Sequence, residues 1–236
     1  MKKDCKVIVF DMDETLGHFH ELSKIIYILK ELYKKKFNQD EFNIVLDFFP
    51  EYIRPNIINI LIFLKEKKKS NSCDKVIIYT NNNGPKDWSN KIKNYFNYKI
   101  NYNLFNQVIG AYKVDNIQIE KKRTTYQKCY NDLLNCANLQ MNTKICFIDD
   151  LIHPKMYNNN IYYLHIEPYN VSLNKNIIFN RLFLITNNLL FKNYNYFKIN
   201  FKNYFNNNNT TITNLNNDQL FNNIKQFFIL GLNYSR

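Results

Sequence analysis

The stretch Val7–Leu16, VIVFDMDETL, decides the fold class of this chain. Its first four residues are apolar, and three of them are β-branched, which predicts a buried strand. Asp11 and Asp13 follow where that strand ends. Two carboxylates so close together repel each other and are costly to desolvate, so a cation or a reaction is expected to explain them. Because residues two apart on extended backbone point the same way, both can reach one hard metal ion.

Three further apolar runs predict buried parallel strands, namely Val76–Tyr79, Ile145–Ile148 and Ile161–Ile166. Apolar residues at helical spacing, and prolines placed to begin helices, predict helices over 22–33, 56–65, 85–96 and about 126–138. Two of these helices lie between Leu16 and Thr80. Strands that alternate with helices predict an α/β fold, a Rossmann-like three-layer arrangement around a parallel sheet.

Two regions depart from this alternation. Residues 99–123 alternate at Val114, Ile117 and Ile119, which predicts a hairpin or small cap-like insert rather than a sheet strand. Residues 170–236 are basic and rich in Asn and aromatic residues, with helices predicted over 173–191 and 220–230 and a loop at 206–209. We therefore expect an α/β domain over 1–169 and a helical C-terminal extension over 170–236, either packed on that domain or appended to it.

The chain is basic, with a net charge of +12, and half of that charge lies in residues 171–236. A basic surface attracts phosphorylated substrates and polyanions such as nucleic acid. However, Asn, Lys, Ile, Tyr and Phe dominate the composition, and all have AT-rich codons, so compositional drift explains the charge equally well. Nucleic acid is therefore a weakly supported partner.

The location expected from the sequence is intracellular and soluble, without a membrane partner. The N-terminus leads directly into a strand rather than into a signal peptide, and no apolar run approaches membrane-spanning length. The five cysteines are odd in number and contain no CxxC pair, so reduced thiols are expected rather than a zinc site or disulfides. The oligomeric state is left open.

Polar residues follow two more of the predicted strands and one helix start. Thr80 comes after Val76–Tyr79, and Asn81-Asn82-Asn83-Gly84-Pro85 then opens a helix, where a hydroxyl and free backbone N–H groups form a phosphate site. Asp149 and Asp150 follow Ile145–Ile148. Lys128 lies near the start of the helix predicted before that strand.

In this order, Asp-x-Asp, Thr, Lys and Asp-Asp resemble the haloacid dehalogenase (HAD) superfamily of phosphohydrolases over residues 5–169. The sequence DMDETLGH at 11–18, with Arg54-Pro55 ahead of a helix, is most similar to the CTD-phosphatase-like, or NLI-interacting-factor-like, branch. The phrase CFIDD at 146–150, followed by His153-Pro154, is similar to HAD-like proteins of large DNA viruses. Receiver domains use similar residues, but in them the acidic pair comes before the phospho-accepting Asp. In this chain the Asp-x-Asp comes first and the Asp-Asp pair last, so the order of the motifs favours the hydrolase.

The resemblance implies a role for each site residue. Asp11 would be the nucleophile that forms an aspartyl-phosphate, and Asp13 the general acid and base, with its backbone carbonyl on the metal. Thr80, Asn81 and Lys128 would bind the phosphate, and Lys128 would also neutralise charge among the acids and on the phosphoryl group. Asp149 or Asp150 would complete the Mg²⁺ site together with Asp11 and Asp13, Asp150 being the favoured direct ligand.

Some assignments have competitors. Lys121, Lys122 and Arg123 compete with Lys128, which is preferred because it stands at a helix opening. Glu14 and Thr15 are interpreted as structural, with Thr15 expected to form a local hydrogen bond within its loop.

The expected function is a Mg²⁺-dependent phosphomonoesterase acting on phosphorylated Ser or Thr in proteins. A phosphatase for small metabolites or nucleic-acid ends is an alternative substrate class. A different class of function is a non-catalytic HAD-like scaffold that binds nucleic acid or protein through its basic tail, where aromatic residues between lysines can stack on bases.

Overall fold

The computed structural model describes residues 5–85, 87–186, 201, 205, 209–215 and 217–230. It divides into two compact units, each built from separate stretches of sequence. The sheet unit comprises Met1–Leu16, Arg54–Pro168 and Leu215–Arg236. The second unit comprises Gly17–Ile53 and Tyr169–Asn214. The division thus places residues on both sides of position 169 in each unit.

In chain order, the described strands are β1 (Lys6–Phe10), β2 (Lys75–Tyr79), β3 (Gln107–Ile109), β4 (Lys113–Val114), β5 (Ile117–Gln118), β6 (Lys144–Asp149), β7 (Ile161–His165), β8 (Val171–Ser172) and β9 (Thr211–Ile212). The described α-helices are α1 (His20–Tyr33), α2 (Gln39–Phe48), α3 (Ile57–Lys69), α4 (Trp88–Lys99), α5 (Tyr130–Ala137), α6 (Lys175–Ile185) and α7 (Asn217–Leu230). Short 3₁₀ turns cover Pro50–Tyr52 and Pro154–Met156.

The central sheet has five parallel strands in the order β3-β2-β1-β6-β7. This confirms the predicted α/β fold with a parallel sheet, and all four predicted strands are present. The chain builds outward from β1 through β2 to β3, then returns to the other side of β1 with β6. A reversal of this kind leaves a crevice at the carboxyl ends of the two strands that flank it, where ligands bind in open α/β sheets. Here those strands are β1 and β6.

Both faces of the sheet are covered, as in a three-layer arrangement. Val7 and Val9 of β1 belong to a buried cluster that includes Leu133 and Leu134 of α5. Because side chains alternate along a strand, Phe10 points to the opposite face. There its ring contacts Phe105, which in turn contacts a ring of α4.

Helix α7 packs on that second face through apolar residues. Ile224 and Phe227 are fully buried, and the Phe227 ring stacks on Tyr162 of β7. Lys6 donates hydrogen bonds to the carbonyls of Phe227 and Phe228 near the end of α7. A cation at this end of a helix is favourable because the exposed carbonyls make it partly negative. The aromatic residues of 217–230 therefore contribute to the core of the sheet unit.

Two sequence predictions need correction. Residues 99–123 do contain the expected hairpin, β4–β5, but they also supply β3, a true strand of the central sheet. With three residues, β3 is too short to show a hydrophobic period in the sequence. Its register is fixed by Asn106, whose side chain accepts the Val76 N–H at 3.0 Å. Between Leu16 and Thr80 there are three α-helices rather than two, because α2 was missed. Its start carries a capping box, in which Asn38 and Glu41 each accept the other's backbone N–H.

The second unit contains α1, α2, α6 and the β8–β9 ribbon. Its two stretches are joined by Glu21, whose carboxylate accepts hydrogen bonds from Ser172 Oγ and Leu173 N. Arg181 adds a two-pronged ion pair with Glu51. The predicted helix over 173–191 is present as α6 in its described part, whereas residues 187–191 lie outside the description, as do 206–208 of the predicted loop.

Two further expectations concern membrane-spanning segments and cysteines. Across the described ranges, no helix combines the length and apolarity required to cross a bilayer. All five cysteines lie in those ranges, and each is a free thiol, as predicted.

Candidate active site

The site begins where the two central strands end. Phe10 pairs with Ile148 in the parallel ladder, and the next residue, Asp11, donates its backbone N–H to the Ile148 carbonyl at 2.9 Å. This register places Asp11 beside Asp149, the last residue of β6. Parallel pairing at the reversal of the sheet thus brings together acids that are 138 positions apart in sequence.

Lys128 joins these two acids from a third part of the chain. Its ammonium group hydrogen-bonds to Asp11 Oδ1 and, at 2.7 Å, to Asp149 Oδ2. It stands immediately before Cys129, the N-cap residue of α5, and its side chain is 2 % exposed. The helix start therefore directs Lys128 toward the strand ends.

The competing basic residues do not reach these acids. Lys121 and Lys122 are exposed. Arg123 is 1 % exposed and stacks over the Tyr79 ring at 4.9 Å. Its guanidinium donates to four backbone carbonyls, those of Thr80, Gly110, Thr125 and Tyr126. Arg123 thus stabilises the backbone around the site.

Asp150 completes a group of three carboxylates. Asp11, Asp149 and Asp150 each present an oxygen within 4.8 Å of the others, and all three residues are buried. When ionised, three carboxylates and the Lys128 ammonium carry a charge of −2, which one divalent cation would neutralise. An all-oxygen donor set of this kind suits Mg²⁺ or Ca²⁺ better than a softer metal.

Burial and ion pairing have opposite effects on the pKa values of these residues. Burial raises the pKa of Asp11 to about 8, with Asp149 and Asp13 adding to the effect and Lys128 opposing it. Burial also acts to raise the pKa of Asp149, but His153 and Lys128 outweigh it and hold that pKa below its usual value. For Lys128, burial acts to lower the pKa, and the two facing carboxylates raise it above its ordinary value. Lys128 therefore stays charged.

Asp150 is held by a residue of the loop after β1. Thr15 Oγ1 donates a hydrogen bond to Asp150 Oδ1 at 3.0 Å. The expectation of a local hydrogen bond for Thr15 was therefore wrong, because its partner lies 135 positions away. Burial raises the pKa of Asp150, and the Thr15 hydroxyl opposes this rise.

Arg54 fixes the same loop by its backbone. Its guanidinium donates to the carbonyls of Glu14, Thr15 and Glu167, each at 2.7 Å. Glu14 has a φ of 56°, a left-handed conformation that is uncommon for a residue with a side chain. The Arg54 contacts offset the cost of this turn, which directs Thr15 to Asp150. The sequence pointed to Arg54 only through the family resemblance, and it did not predict these contacts with the loop.

The phosphate-binding candidates lie at the end of β2. Thr80 is buried, and its Oγ1 accepts the Asn82 N–H at 2.9 Å; an accepting hydroxyl still has one proton to donate. Asn82, which sequence reasoning missed, donates its side-chain amide to Asp13 Oδ2 at 2.8 Å. Asn81 is exposed at the same turn. Asp13 is partly buried, and its carboxylate is not one of the three that cluster.

His153 is a second residue without an assigned role in the sequence analysis. Its Nε2 lies 3.2 Å from Asp149 Oδ2, and its ring packs edge-on against Phe147 of β6. Its backbone N–H is fixed by the Tyr163 hydroxyl, which accepts it at 2.9 Å. The signal for His153 was its spacing four residues after Asp149, just past a strand end.

Two comparisons of the sequence with known proteins find no relative. The sequence matches no protein-family model, and a search of curated proteins finds no significant match. A function for this site must therefore be argued from its own geometry.

Proposed function

We propose that the chain is a Mg²⁺-dependent phosphomonoesterase of the HAD type that works through an aspartyl-phosphate on Asp11. The observation that carries this proposal is the contact of buried Lys128 with Asp11 and Asp149, beside a third carboxylate. A structural ion pair needs one acid for each base. Three buried acids around one lysine are costly without a further cation, and they sit where α/β sheets bind ligands.

The residues present fit a magnesium ion. Asp11, Asp149 and Asp150 would hold it through carboxylate oxygens, with the backbone carbonyl of Asp13 as a proposed additional ligand. A bound Mg²⁺ supplies positive charge that lets an anionic phosphoryl group approach a carboxylate. Thr15 supports the site from outside by its hydrogen bond to Asp150.

The chemistry assigned to the chain's own groups has two steps. In the first, an Asp11 oxygen attacks phosphorus, the ester P–O bond breaks, and Asp13 gives a proton to the leaving oxygen. In the second, Asp13 takes a proton from water, the water oxygen attacks the same phosphorus, and inorganic phosphate leaves Asp11. Lys128 neutralises charge on Asp11 and the phosphoryl group. Asn82 orients Asp13, and the Thr80 hydroxyl donates to a phosphoryl oxygen.

The test is hydrolysis of a generic phosphate ester with and without Mg²⁺. Wild type should turn over only with the metal, and Asp11→Asn should lose all turnover. Brief reaction with ester labelled in its phosphate, followed by acid quenching, should leave a hydroxylamine-sensitive phosphate on wild type but not on Asp11→Asn. Glu31→Gln, which removes an exposed surface acid, is the matched control and should behave like wild type. Metal-independent turnover, or turnover by Asp11→Asn, would sink the proposal.

A further inference from the structure

A cavity of about 430 Å³ lies in the sheet unit next to this site. Its walls come from the turn after β2, the first residues of α4, the segment after β3 and the β4–β5 hairpin region. Asn82 lines the cavity and also donates to Asp13. Gly110 lines it as well. The Arg123 guanidinium donates hydrogen bonds to the backbone carbonyls of Gly110 and Thr80. The cavity therefore borders the residues that would face the leaving group of a phosphate ester.

The lining combines apolar surface with acids. Val108, Val114 and Ile119 supply apolar wall, and Asp115 and Glu120 supply two carboxylates. No described Lys or Arg lines the cavity, although the chain carries 32 basic residues and a net charge of +12. Within the described ranges, no ion pair joins either acid to a basic residue. Among the described residues, the lining itself thus carries two acids and no base.

This combination selects one kind of ligand group. An amine or guanidinium on an aliphatic stem can lay its stem along apolar wall and direct its charge to a carboxylate. Lysine and arginine side chains have this form. Cavities of a few hundred Å³ accommodate a ligand of several residues or rings, so the peptide residues next to such a side chain can enter with it, whereas a small aminoalkyl ester would fill only a fraction of the space.

We propose that this cavity binds a lysine or arginine side chain that lies within one or two residues of the phosphorylated residue in a protein substrate. The inference rests on the proposed function, because the cavity is placed on the leaving-group side of that reaction. It names the substrate class of the same site: phosphopeptides with a basic residue beside the phosphate. Asp115 and Glu120 are its specificity-determining residues.

The test compares two synthetic phosphoserine peptides that differ only in having lysine or alanine at the two positions on each side of phosphoserine. Wild type should prefer the lysine peptide by about fivefold in kcat/KM, the selectivity expected from two partly exposed charge pairs. The Asp115→Asn/Glu120→Gln double variant should show a ratio near one. The charge-matched control Glu31→Gln/Glu66→Gln removes two surface acids and should keep the wild-type ratio. The preference should also decline as salt is raised, because salt screens exposed charges.

Binding measurements separate this inference from the proposed reaction. Fluorescence anisotropy with both peptides should show the same preference in wild type and its loss in the double variant, whether or not turnover occurs. Ester hydrolysis without any peptide preference would overturn the cavity assignment and leave the phosphatase standing. Preferential binding without ester hydrolysis would overturn the proposed phosphatase activity and leave the cavity assignment standing. If the double variant loses activity on phosphoethanolamine but not on the lysine peptide, the cavity serves small amines and the peptide assignment is wrong.

Discussion

The Thr15 hydroxyl donates a hydrogen bond to Asp150 Oδ1 at 3.0 Å and so joins the loop after β1 to the end of β6. Both groups are buried. A buried carboxylate that loses a donor is left with an uncompensated desolvation cost. The contact therefore links the position of the first motif to the position of the proposed metal ligand.

Replacement of Thr15 by Val should weaken metal binding by roughly tenfold, the usual effect of removing a group that holds a metal ligand. Val keeps the shape of Thr but lacks the hydroxyl, whereas Thr15→Ser keeps the donor and should bind Mg²⁺ as wild type does. Isothermal titration with Mg²⁺ measures the effect without requiring turnover. Equal Mg²⁺ affinities for Thr15→Val and Thr15→Ser would show that the hydroxyl does not support the site.

Lys128 and Lys122 make a matched pair of lysines for a second prediction. Lys128→Met should abolish phosphatase turnover, because the change leaves Asp11 and Asp149 without their shared cation. Removing one partner of a buried ion pair also destabilises a protein by about 3–5 kcal/mol, so thermal unfolding must be followed in parallel. Lys122→Met alters an exposed side chain and should leave both properties unchanged. Near-normal turnover in a folded Lys128→Met protein would show that Lys128 is not required for catalysis.

Arg123 should be important for stability rather than for binding the acids. Its side chain bonds to four carbonyls and stacks on Tyr79, so Arg123→Met leaves several buried acceptors unpaired. We expect a loss of about 2–4 kcal/mol in the free energy of unfolding, measured by urea denaturation. Arg123→Lys should restore only part of it, since an ammonium group cannot reproduce the planar fork of donors. A loss below that of Lys121→Met would contradict this role.

The sequence predicted those parts of the molecule that have a period or a local signature. The strand β1 was predicted because four apolar residues precede Asp11, and Lys128 was preferred over the competing basic residues because it stands at a helix opening. The strand β3 is too short for a period, and its place is fixed by Asn106 and the neighbouring strand. The partners of Thr15 and Arg123 are set by which chain segments meet in space. No pattern of spacing along the chain predicts these partners.

The second unit offers a prediction of pH dependence. Arg181 donates from Nη1 and Nη2 to the two carboxylate oxygens of Glu51, at 2.7 and 2.6 Å, and packs over the Phe49 ring at 5.4 Å. The hydrogen bonds from Arg181 lower the pKa of Glu51 from its ordinary value of 4.5. Because the folded-state pKa is depressed, the pair stabilises the fold above pH 4.5, and this stabilisation is lost as the pH falls through the lowered pKa.

Arg181→Met should therefore lower the free energy of unfolding by about 1 kcal/mol at pH 7, a discounted value for a pair that is partly exposed. At pH 3 or below the deficit should shrink, because wild type also loses the pair as Glu51 takes up a proton. Urea denaturation at both pH values measures the difference. Glu51→Gln should show the same trend, since it removes the charge from the other side. A deficit of equal size at pH 7 and at low pH would mean that Arg181 stabilises the unit by packing on Phe49 alone.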